Sequence, residues 1–311
     1  MEILSDIQNL GSADGPLHLA IGVFDGIHRG HQAVIEKASE CANREGGEVV
    51  VVTFDPHPAA VLSPQNAPRL LTSTQHKAHI LSQHLKIRKV LAIPFTKEFS
   101  EQNADQFIEE LCAGNRIKSI SVGKDFRFGK SREGSVETLR ELSGALHFQV
   151  HAVEIVEVDG ITASSTRVRE AIAAGDFGVA NALLGRKYNV LGTVIEGRQM
   201  GRTIGFPTAN LTVHSEQLPP TGVYAVRAVG AGDSWDGIAN LGYRPTVEGG
   251  DVKRLLEVHL FGLDDEIYGE DLEVDFVQFV RGEQKFEGLD DLKTQIAEDI
   301  KTARRILEKK Q

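Results

Sequence analysis

Apolar, β-branched runs alternate with amphipathic segments along the first half of the chain, from residue 17 to residue 157. Continuous apolar runs are typical of strands buried on both faces, and such strands occur in parallel sheets covered by helices. The pattern therefore predicts an α/β fold with a doubly wound parallel sheet. The predicted strands lie in LHLAIGVF, EVVVVTF, RKVLAIP, IKSISVG and LHFQVHAVEIV, and the predicted helices near residues 31–43, 74–85, 103–113 and 135–143. A further helical stretch, SSTRVREAIAAGDFGVANALLG, closes this half.

The pattern changes near Arg186, where short β-type runs separated by glycine and proline begin, among them YNVLGTVIEG, GVYAVRAVG and DLEVDFVQFVRG. Short strands without intervening helices indicate a small antiparallel sheet or β-barrel. Apolar side chains then recur at three- and four-residue steps from Leu289 to Leu307, which predicts an amphipathic terminal helix. A chain of 311 residues can bury two cores. We therefore predict two domains, residues 1–186 and residues 187–311.

Composition excludes several classes of function. The net charge of −10 argues against a protein that coats nucleic acid or a membrane surface, because phosphate surfaces repel such a chain. The two cysteines, Cys41 and Cys112, have no CxxC neighbour, so we expect neither a disulfide framework nor a cysteine-rich zinc site. We see no signal peptide and no apolar stretch near the ~20 residues of a membrane span, and we expect a cytoplasmic protein. The oligomeric state stays open.

The segment GVFDGIHRGH, residues 22–31, follows the first predicted strand and leads into the first predicted helix. Ligands of doubly wound sheets bind at the carboxyl ends of strands, and a helix N-terminus attracts anions. Gly26 and Gly30 would let a phosphate chain approach the backbone closely. His28 and His31 could then donate hydrogen bonds to phosphate and stabilise a transition state. Two alternatives stay open: exposed histidines without a role, and a zinc site, for which no third ligand has a recognisable spacing.

Two later segments of the first half carry polar clusters. VGKDFRFGKSREG, residues 122–134, follows the fourth predicted strand, and its Asp125 lies among glycines and basic side chains. This loop either faces an anion or is simply solvated. SSTRVRE, residues 164–170, has three hydroxyl residues that can cap a helix start, followed by Arg167 and Arg169. Capping alone would also explain this segment.

The sharpest stretch of the second half is GRTIGFPTANL, residues 201–211. Arg202 lies in a glycine-flanked loop, and Pro207 fixes a turn. Thr208 and Asn210 then supply a hydroxyl and an amide oxygen, which suit a hard cation such as Mg²⁺ that also binds substrate phosphates. A Gly/Pro loop with a capping threonine is the alternative.

A second candidate in this half is the strand-like RLLEVHLF, residues 254–261. Alternation along a strand places Leu256 and Val258 on one face and Glu257 and His259 on the other. Glu257 could be a general base for a hydroxyl nucleophile. An exposed strand carboxylate is the alternative.

Together these segments resemble known families. HRGH and SSTRVR resemble the HxGH and SSTxxR signatures of the nucleotidylyltransferase superfamily, and GFPTAN with GVYAV, NLGYRPT and EVHLF resembles the riboflavin kinase module. The first half alone would allow another substrate, such as a pantetheine or nicotinamide phosphate. Joined, residues of about 15 to 310 resemble the bacterial bifunctional riboflavin kinase/FAD synthetase family. The resemblance implies that riboflavin and ATP give FMN, and that FMN and ATP give FAD and pyrophosphate, with Mg²⁺ required in both steps.

The resemblance also implies a role for each matched residue. Glu257 would deprotonate the riboflavin 5′-hydroxyl, and His28 and His31 would neutralise phosphate charge during adenylyl transfer. Thr208 and Asn210 would hold Mg²⁺ and the ATP phosphates. ATP and phosphate contacts would come from Gly22, Phe24, Asp25, Gly26, Gly30, Ser164, Ser165, Thr166, Arg169, Arg202, Gly205, Pro207 and Tyr224. Flavin contacts would come from Asp125, Arg281 and Glu283. A flavin-binding regulator or storage protein with inactive sites is the alternative from another functional class.

Overall fold

The structure is a computed structural model that describes residues 1–12, 15–196, 204–245, 252–263 and 265–309. The chain forms two compact units, Met1–Ser165 and Thr166–Gln311. Among the described residues, no helix combines the length and the apolar character that a membrane span requires.

The first unit contains a six-stranded parallel sheet with the order β1-β4-β3-β2-β5-β6. Its strands are β1 (Glu2–Leu4), β2 (Leu17–Ile21), β3 (Glu48–Asp55), β4 (Lys89–Pro94), β5 (Ile117–Gly123) and β6 (Gln149–Val153). Its helices are α1 (Arg29–Glu45), α2 (Pro58–Leu62), α3 (Thr74–Leu85), α4 (Lys97–Ser100), α5 (Ala104–Cys112) and α6 (Val136–Leu146), and a small antiparallel pair, β7 (Glu157–Val158) and β8 (Ile161–Thr162), follows. Because the chain runs from β2 outward to β4 and then continues with β5 on the opposite side of β2, the strand order reverses between β2 and β5.

Helices cover both faces of this sheet, which explains why its strands are continuously apolar. Val52 on β3 belongs to a core cluster with Phe107 of α5 and Leu139 of α6. The neighbouring Val51 belongs to the opposite cluster, with Ile35 of α1 and other residues of α1 and α3. The predicted doubly wound parallel sheet is therefore confirmed.

The edge strand β1 was not predicted, because three residues are too short to show a periodic pattern. A buried lysine at the amino end of β4 holds it: the Lys89 ammonium lies 3.4 Å from a Glu2 oxygen and 2.9 Å from a Glu48 oxygen. Burial acts to lower the pKa of Lys89, but the hydrogen bonds and charges of Glu48 and Glu2 outweigh burial and raise it overall.

The second unit is a closed antiparallel barrel with the order β10-β13-β12-β11-β14-β9 and a terminal helix, as the sequence predicted. Its strands are β9 (Asn189–Ile195), β10 (Ala209–Val213), β11 (Gly222–Gly230), β12 (Asp233–Pro245), β13 (Val252–Leu260) and β14 (Asp271–Arg281). Helices α7 (Ser165–Ala174) and α8 (Phe177–Leu184) precede the barrel, and α9 (Leu289–Glu308) follows it.

The helical stretch before the barrel is divided into two helices. Gly175 has a φ of 74°, in the left-handed region, and the next residue, Asp176, accepts a hydrogen bond from Val179 N at 3.0 Å as the N-cap of α8. Phe177 of α8 then stacks against Tyr188 and Phe276 of the barrel. This packing explains why the second unit begins upstream of residue 186; the domain limits of residues 1–186 and 187–311 stay a prediction.

The terminal helix α9 is attached to the barrel by an apolar stripe and by one buried ion pair. Ala303 and Leu307 are fully buried against the barrel, whereas Leu289, the first residue of the predicted stripe, is exposed. Arg281 at the end of β14 donates to Asp299 of α9 through Nε at 3.0 Å and Nη2 at 2.7 Å. Gln295 donates to the same carboxylate at 2.9 Å. A bidentate pair of this kind fixes geometry as well as adding energy.

We predict that Asp299→Ala lowers the free energy of unfolding of the second unit by about 2–3 kcal/mol, because it leaves the Arg281 guanidinium without its carboxylate in a largely buried place. Trp235 on β12 is the single tryptophan, so its fluorescence during urea unfolding follows this unit. Glu298→Ala, at the neighbouring exposed position of α9, is the matched control and should not change the midpoint. Equal midpoints for both variants would contradict the prediction.

Candidate active sites

The first candidate site is the turn that joins β2 to α1, at the place where the strand order reverses. β2 ends at Ile21, and α1 begins at Arg29 with His28 as its N-cap residue. The Nδ1 atom of His28 accepts a hydrogen bond from His31 N at 3.4 Å. Because Nδ1 is the acceptor, the neutral His28 ring carries its proton on Nε2.

The two histidine rings form one stack at the start of α1. Their centroids are 3.6 Å apart with an interplanar angle of 24°, and the Phe24 ring meets His31 edge-on at 5.2 Å. A Cβ atom at Gly30 would lie 3.1 Å from the Ala163 carbonyl oxygen and 3.2 Å from the His28 ring. The glycine between the histidines therefore lets the first turn of α1 pack closely against its surroundings.

The backbone of this turn is strained. Phe24 and Ile27 have φ values of 52° and 45°, and neither is a glycine. Left-handed backbone at such residues costs about 1–2 kcal/mol each and persists only where the surrounding contacts impose it. Both side chains are buried, with exposed fractions of 1% and 0%.

Asp25 anchors the turn to the segment before α3. Its carboxylate accepts hydrogen bonds from Leu71 N and Thr72 N, both at 3.0 Å, and the Thr72 hydroxyl accepts one from Gly26 N at 3.0 Å. The Ser165 hydroxyl donates to the Asp25 carbonyl at 2.8 Å, so the structure brings Ser165 of the predicted SSTRVR segment to this turn. Thr72 was missed by the sequence analysis, because it lies 46 residues from Gly26 and belongs to no recognised motif.

The other residues predicted for adenylyl transfer lie in the loop after β5, at the end of β2 and at the start of α7. Asp125 is exposed just after β5, the strand next to β2. Its loop is anchored on α5, where Ala104 N donates to Glu133 at 3.2 Å. Ser164, Thr166 and Arg169 flank Ser165 at the start of α7, and Gly22 lies at the end of β2. Within the described ranges, no three His, Cys, Asp or Glu side chains form a group that could hold a metal ion.

The second candidate site lies on the outer face of the barrel. Glu257 on β13 is opposite Asn210 of β10 on one side and Asn240 of β12 on the other. Leu256 and Val258 are fully buried, whereas Glu257 is half-buried, so the predicted alternation along β13 is confirmed. Asn210 is 7% exposed.

His259, which the sequence analysis placed on the same face of β13 as Glu257, contacts the loop that precedes β10. His259 Nδ1 donates to the Pro207 carbonyl at 2.7 Å, and the His259 ring meets Phe206 at 88° with the centroids 6.1 Å apart. This contact fixes the FPT segment beside β13, which carries Glu257. Gly205 and Thr208 of the same loop are exposed. Arg202 lies outside the described residues.

A cavity opens beside Thr208, between the start of β10 and the end of β13. Its walls include the side chains of Val194, Val258, Leu260, Leu263, Ile267 and Tyr268. The side chains of Asp265 and Glu266 line the cavity as well, so its walls carry both apolar and acidic groups, and the exposed Thr208 lies among them.

Three other predicted residues occupy different surroundings. Tyr224 lies inside the barrel, where its hydroxyl donates to the Pro220 carbonyl, and burial raises its pKa to about 12. The Arg281 guanidinium is held by Asp299. Glu283 approaches the outer face near Asn240, because a Cβ atom at Gly242 would lie only 2.7 Å from its Oε1 atom. The ligand contacts expected of Tyr224, Arg281 and Glu283 stay predictions.

Comparison with known proteins identifies relatives of both units. A family model described as FAD synthetase matches residues 12–167, and one described as riboflavin kinase matches residues 184–307. Curated proteins named bifunctional riboflavin kinase/FMN adenylyltransferase, from Haemophilus influenzae and Escherichia coli, are each 38% identical to this chain. These alignments cover 98% of this chain and 98% and 97% of the two relatives. A crystal structure described as a macrolide-efflux protein from Streptococcus pneumoniae has a TM-score of 0.81 at 29% identity, covering 97% of this chain and 98% of that one.

Proposed function

The chain belongs to the family of bifunctional riboflavin kinases/FMN adenylyltransferases, and from this premise we propose which of its residues carry the two reactions. The enzyme phosphorylates riboflavin with ATP to give FMN, and it adenylylates FMN with a second ATP to give FAD and pyrophosphate. The observation that carries the assignment of residues is that a polar site in each unit coincides with one of its motifs: the stacked histidines at the β2–α1 turn, and Glu257 beside Asn210 on the barrel.

Phosphorylation takes place on the barrel. The riboflavin 5′-hydroxyl oxygen attacks the γ-phosphorus of ATP, the bond from that phosphorus to the β,γ-bridging oxygen breaks, and ADP leaves. Glu257 accepts the hydroxyl proton as general base. The pairing of β13 with β10 and β12 fixes the backbone of Glu257, and the His259 contact holds the Thr208 loop next to it.

Thr208 and Asn210 offer a hydroxyl and an amide oxygen, the hard donors that Mg²⁺ prefers when nucleotide phosphates supply further ligands. Mg²⁺ held there would neutralise charge on the transferred phosphoryl group. The apolar side chains in the cavity beside Thr208, Val194 and Leu260 among them, suit a planar nucleotide base whose phosphates would reach the polar loop.

Adenylyl transfer takes place at the β2–α1 turn. An FMN phosphate oxygen attacks the α-phosphorus of ATP, and pyrophosphate leaves without a covalent enzyme intermediate. The residues therefore position the reactants and stabilise charge. His28, through Nε2–H, and His31 donate to phosphate oxygens, and the N-terminus of α1 adds its positive end. Ser165 contributes at the end of this unit, where its hydroxyl donates to the Asp25 carbonyl, and the phosphate contacts expected of Thr166 and Arg169 stay predictions.

Further contacts and the location of the enzyme complete the proposal. Asp125 contacts the flavin of FMN from the loop after β5, and Glu283 contacts riboflavin beside Asn240. The enzyme acts in the cytoplasm, where ATP is supplied; the free thiols of Cys41 and Cys112 suit such a reducing compartment.

We predict that the purified chain converts riboflavin, ATP and Mg²⁺ into FMN and then FAD, because each unit holds the residues for one step. Chromatography of the flavins over time measures both products. Supplying FMN in place of riboflavin separates the second step, and pantetheine or nicotinamide phosphates serve as competing substrates for it. Flavin binding without any product would support the regulator alternative and contradict the proposal.

We predict that Glu257→Gln lowers FMN formation by about 10²–10⁴-fold, because the amide cannot accept the hydroxyl proton. FAD formation from supplied FMN should stay near the unmutated rate, since that site lies in the other unit. Glu287→Gln, an exposed carboxylate of the second unit, is the matched control. A normal rate of FMN formation in Glu257→Gln would exclude this residue as the base.

We predict the reverse pattern for His28→Ala, with FAD formation from FMN lowered by about 10²–10³-fold, because a hydrogen-bond donor to the transition state is lost. Riboflavin phosphorylation should be unaffected. His84→Ala, at an exposed position of α3, controls for the loss of a histidine in the same unit. An unchanged FAD yield would exclude the role given to His28.

A further inference from the structure

A buried lysine lies beneath the β2–α1 turn, and neither of the two reactions described above uses it. Lys77 is on α3 and is 6% exposed. Its ammonium donates to the Val23 carbonyl at 3.2 Å and to the Thr53 hydroxyl at 3.4 Å. A buried cation is costly, and these two acceptors are neutral, so its position calls for an explanation.

Burial and nearby charges act on the pKa of Lys77 in opposite directions, and burial has the larger effect. Burial lowers the pKa of Lys77, and the negative charges of Asp25 and Asp55 act against that change. Lys89, which is equally buried at the opposite end of the sheet, instead lies in direct ion pairs with Glu2 and Glu48. The two lysines therefore differ in their surroundings: Lys89 joins strand ends through carboxylates, and Lys77 holds a backbone carbonyl.

That carbonyl belongs to the residue just before the strained part of the turn. The Val23 oxygen accepts from Thr53 Oγ1 at 2.9 Å as well as from Lys77, and the next residue, Phe24, has the left-handed φ of 52°. The backbone at Val23 is thus fixed by two donors, while the carboxylate of Asp25 fixes the other side of Phe24. Strained backbone of this kind persists because its neighbours impose it.

The orientation of the histidines depends on this turn. Phe24 contacts the His31 ring with its edge, and Ile27, the second left-handed residue, immediately precedes His28. A relaxation at Val23 would move Phe24 and with it the histidine stack. A displacement of about 1 Å in such groups can cost about 100-fold in rate.

We propose that Lys77 is a positioning residue for adenylyl transfer: its ammonium holds the Val23 carbonyl, keeps the turn in its strained conformation and so aligns His28 and His31. This inference rests on the proposed function of the turn.

The test is Lys77→Met in the full-length enzyme, with Lys89→Met as the matched loss of a buried lysine. In Lys77→Met we expect kcat for FAD formation from FMN to fall by at least about 10-fold, and KM for ATP to change less than kcat. The rate of riboflavin phosphorylation should stay within about twofold of the unmutated rate. Lys77→Arg should recover part of the rate. Lys89→Met should leave the kcat of the folded enzyme within about twofold.

A second measurement does not depend on activity. The ring Cε1–H resonances of His28 and His31, assigned by substitution, should shift in Lys77→Met and stay in place in Lys89→Met. If Lys77→Met does not fold, Thr53→Val removes the other donor to Val23 and should shift the same resonances and lower FAD formation. Unshifted resonances with an unchanged kcat would overturn the inference, as would an equal loss in Lys89→Met. Failure of the unsubstituted enzyme to make FAD would contradict the proposed function instead, and the resonances would still decide whether Lys77 holds the turn.

Discussion

A parallel sheet buried on both faces leaves little room for polar side chains except at its strand ends, and the first unit follows from that constraint. Val51 and Val52 pack into the cores on opposite faces of the sheet, so both faces of β3 are covered there. The helices that create these cores also make the chain reverse its direction of winding between β2 and β5. The polar turn with its histidines lies at that reversal, where neighbouring crossovers diverge and a ligand can enter.

In the barrel, the polar site lies on a strand face rather than at a strand end. Its strands have one buried and one outer face, so Glu257 can lie between two asparagines on the outside while Leu256 and Val258 fill the inside. The site is therefore set by strand register rather than by a strand end. The helix α9 covers another part of the outer surface, and the Arg281–Asp299 pair fixes where it lies.

The parts of this structure that depend on local pattern could be predicted from the sequence, and those that depend on distant contacts could not. The apolar runs predicted five of the six parallel strands, and the alternation of residue types predicted which face of β13 carries Glu257. The surroundings of Tyr224 depend on distant contacts: its ring packs against Phe276 and its hydroxyl donates to the Pro220 carbonyl, while its expected contact with ATP stays a prediction. The contact of Lys77 with Val23 joins residues 54 positions apart, and no motif marks it.

An acidic chain that binds a polyanion needs positive potential where the phosphates lie. The net charge of −10 repels ATP at long range, so attraction has to come from groups within a few ångströms. At the proposed site of adenylyl transfer, the N-terminus of α1 and the histidines would supply it, and Lys77 lies buried beneath the same turn. At the second site the cavity beside Thr208 is lined by the carboxylates of Asp265 and Glu266, and Glu257 lies opposite Asn210, so the described part of this site is itself acidic. ATP phosphates bound beside these carboxylates would need a cation to offset the repulsion, which agrees with the Mg²⁺ proposed for the barrel site.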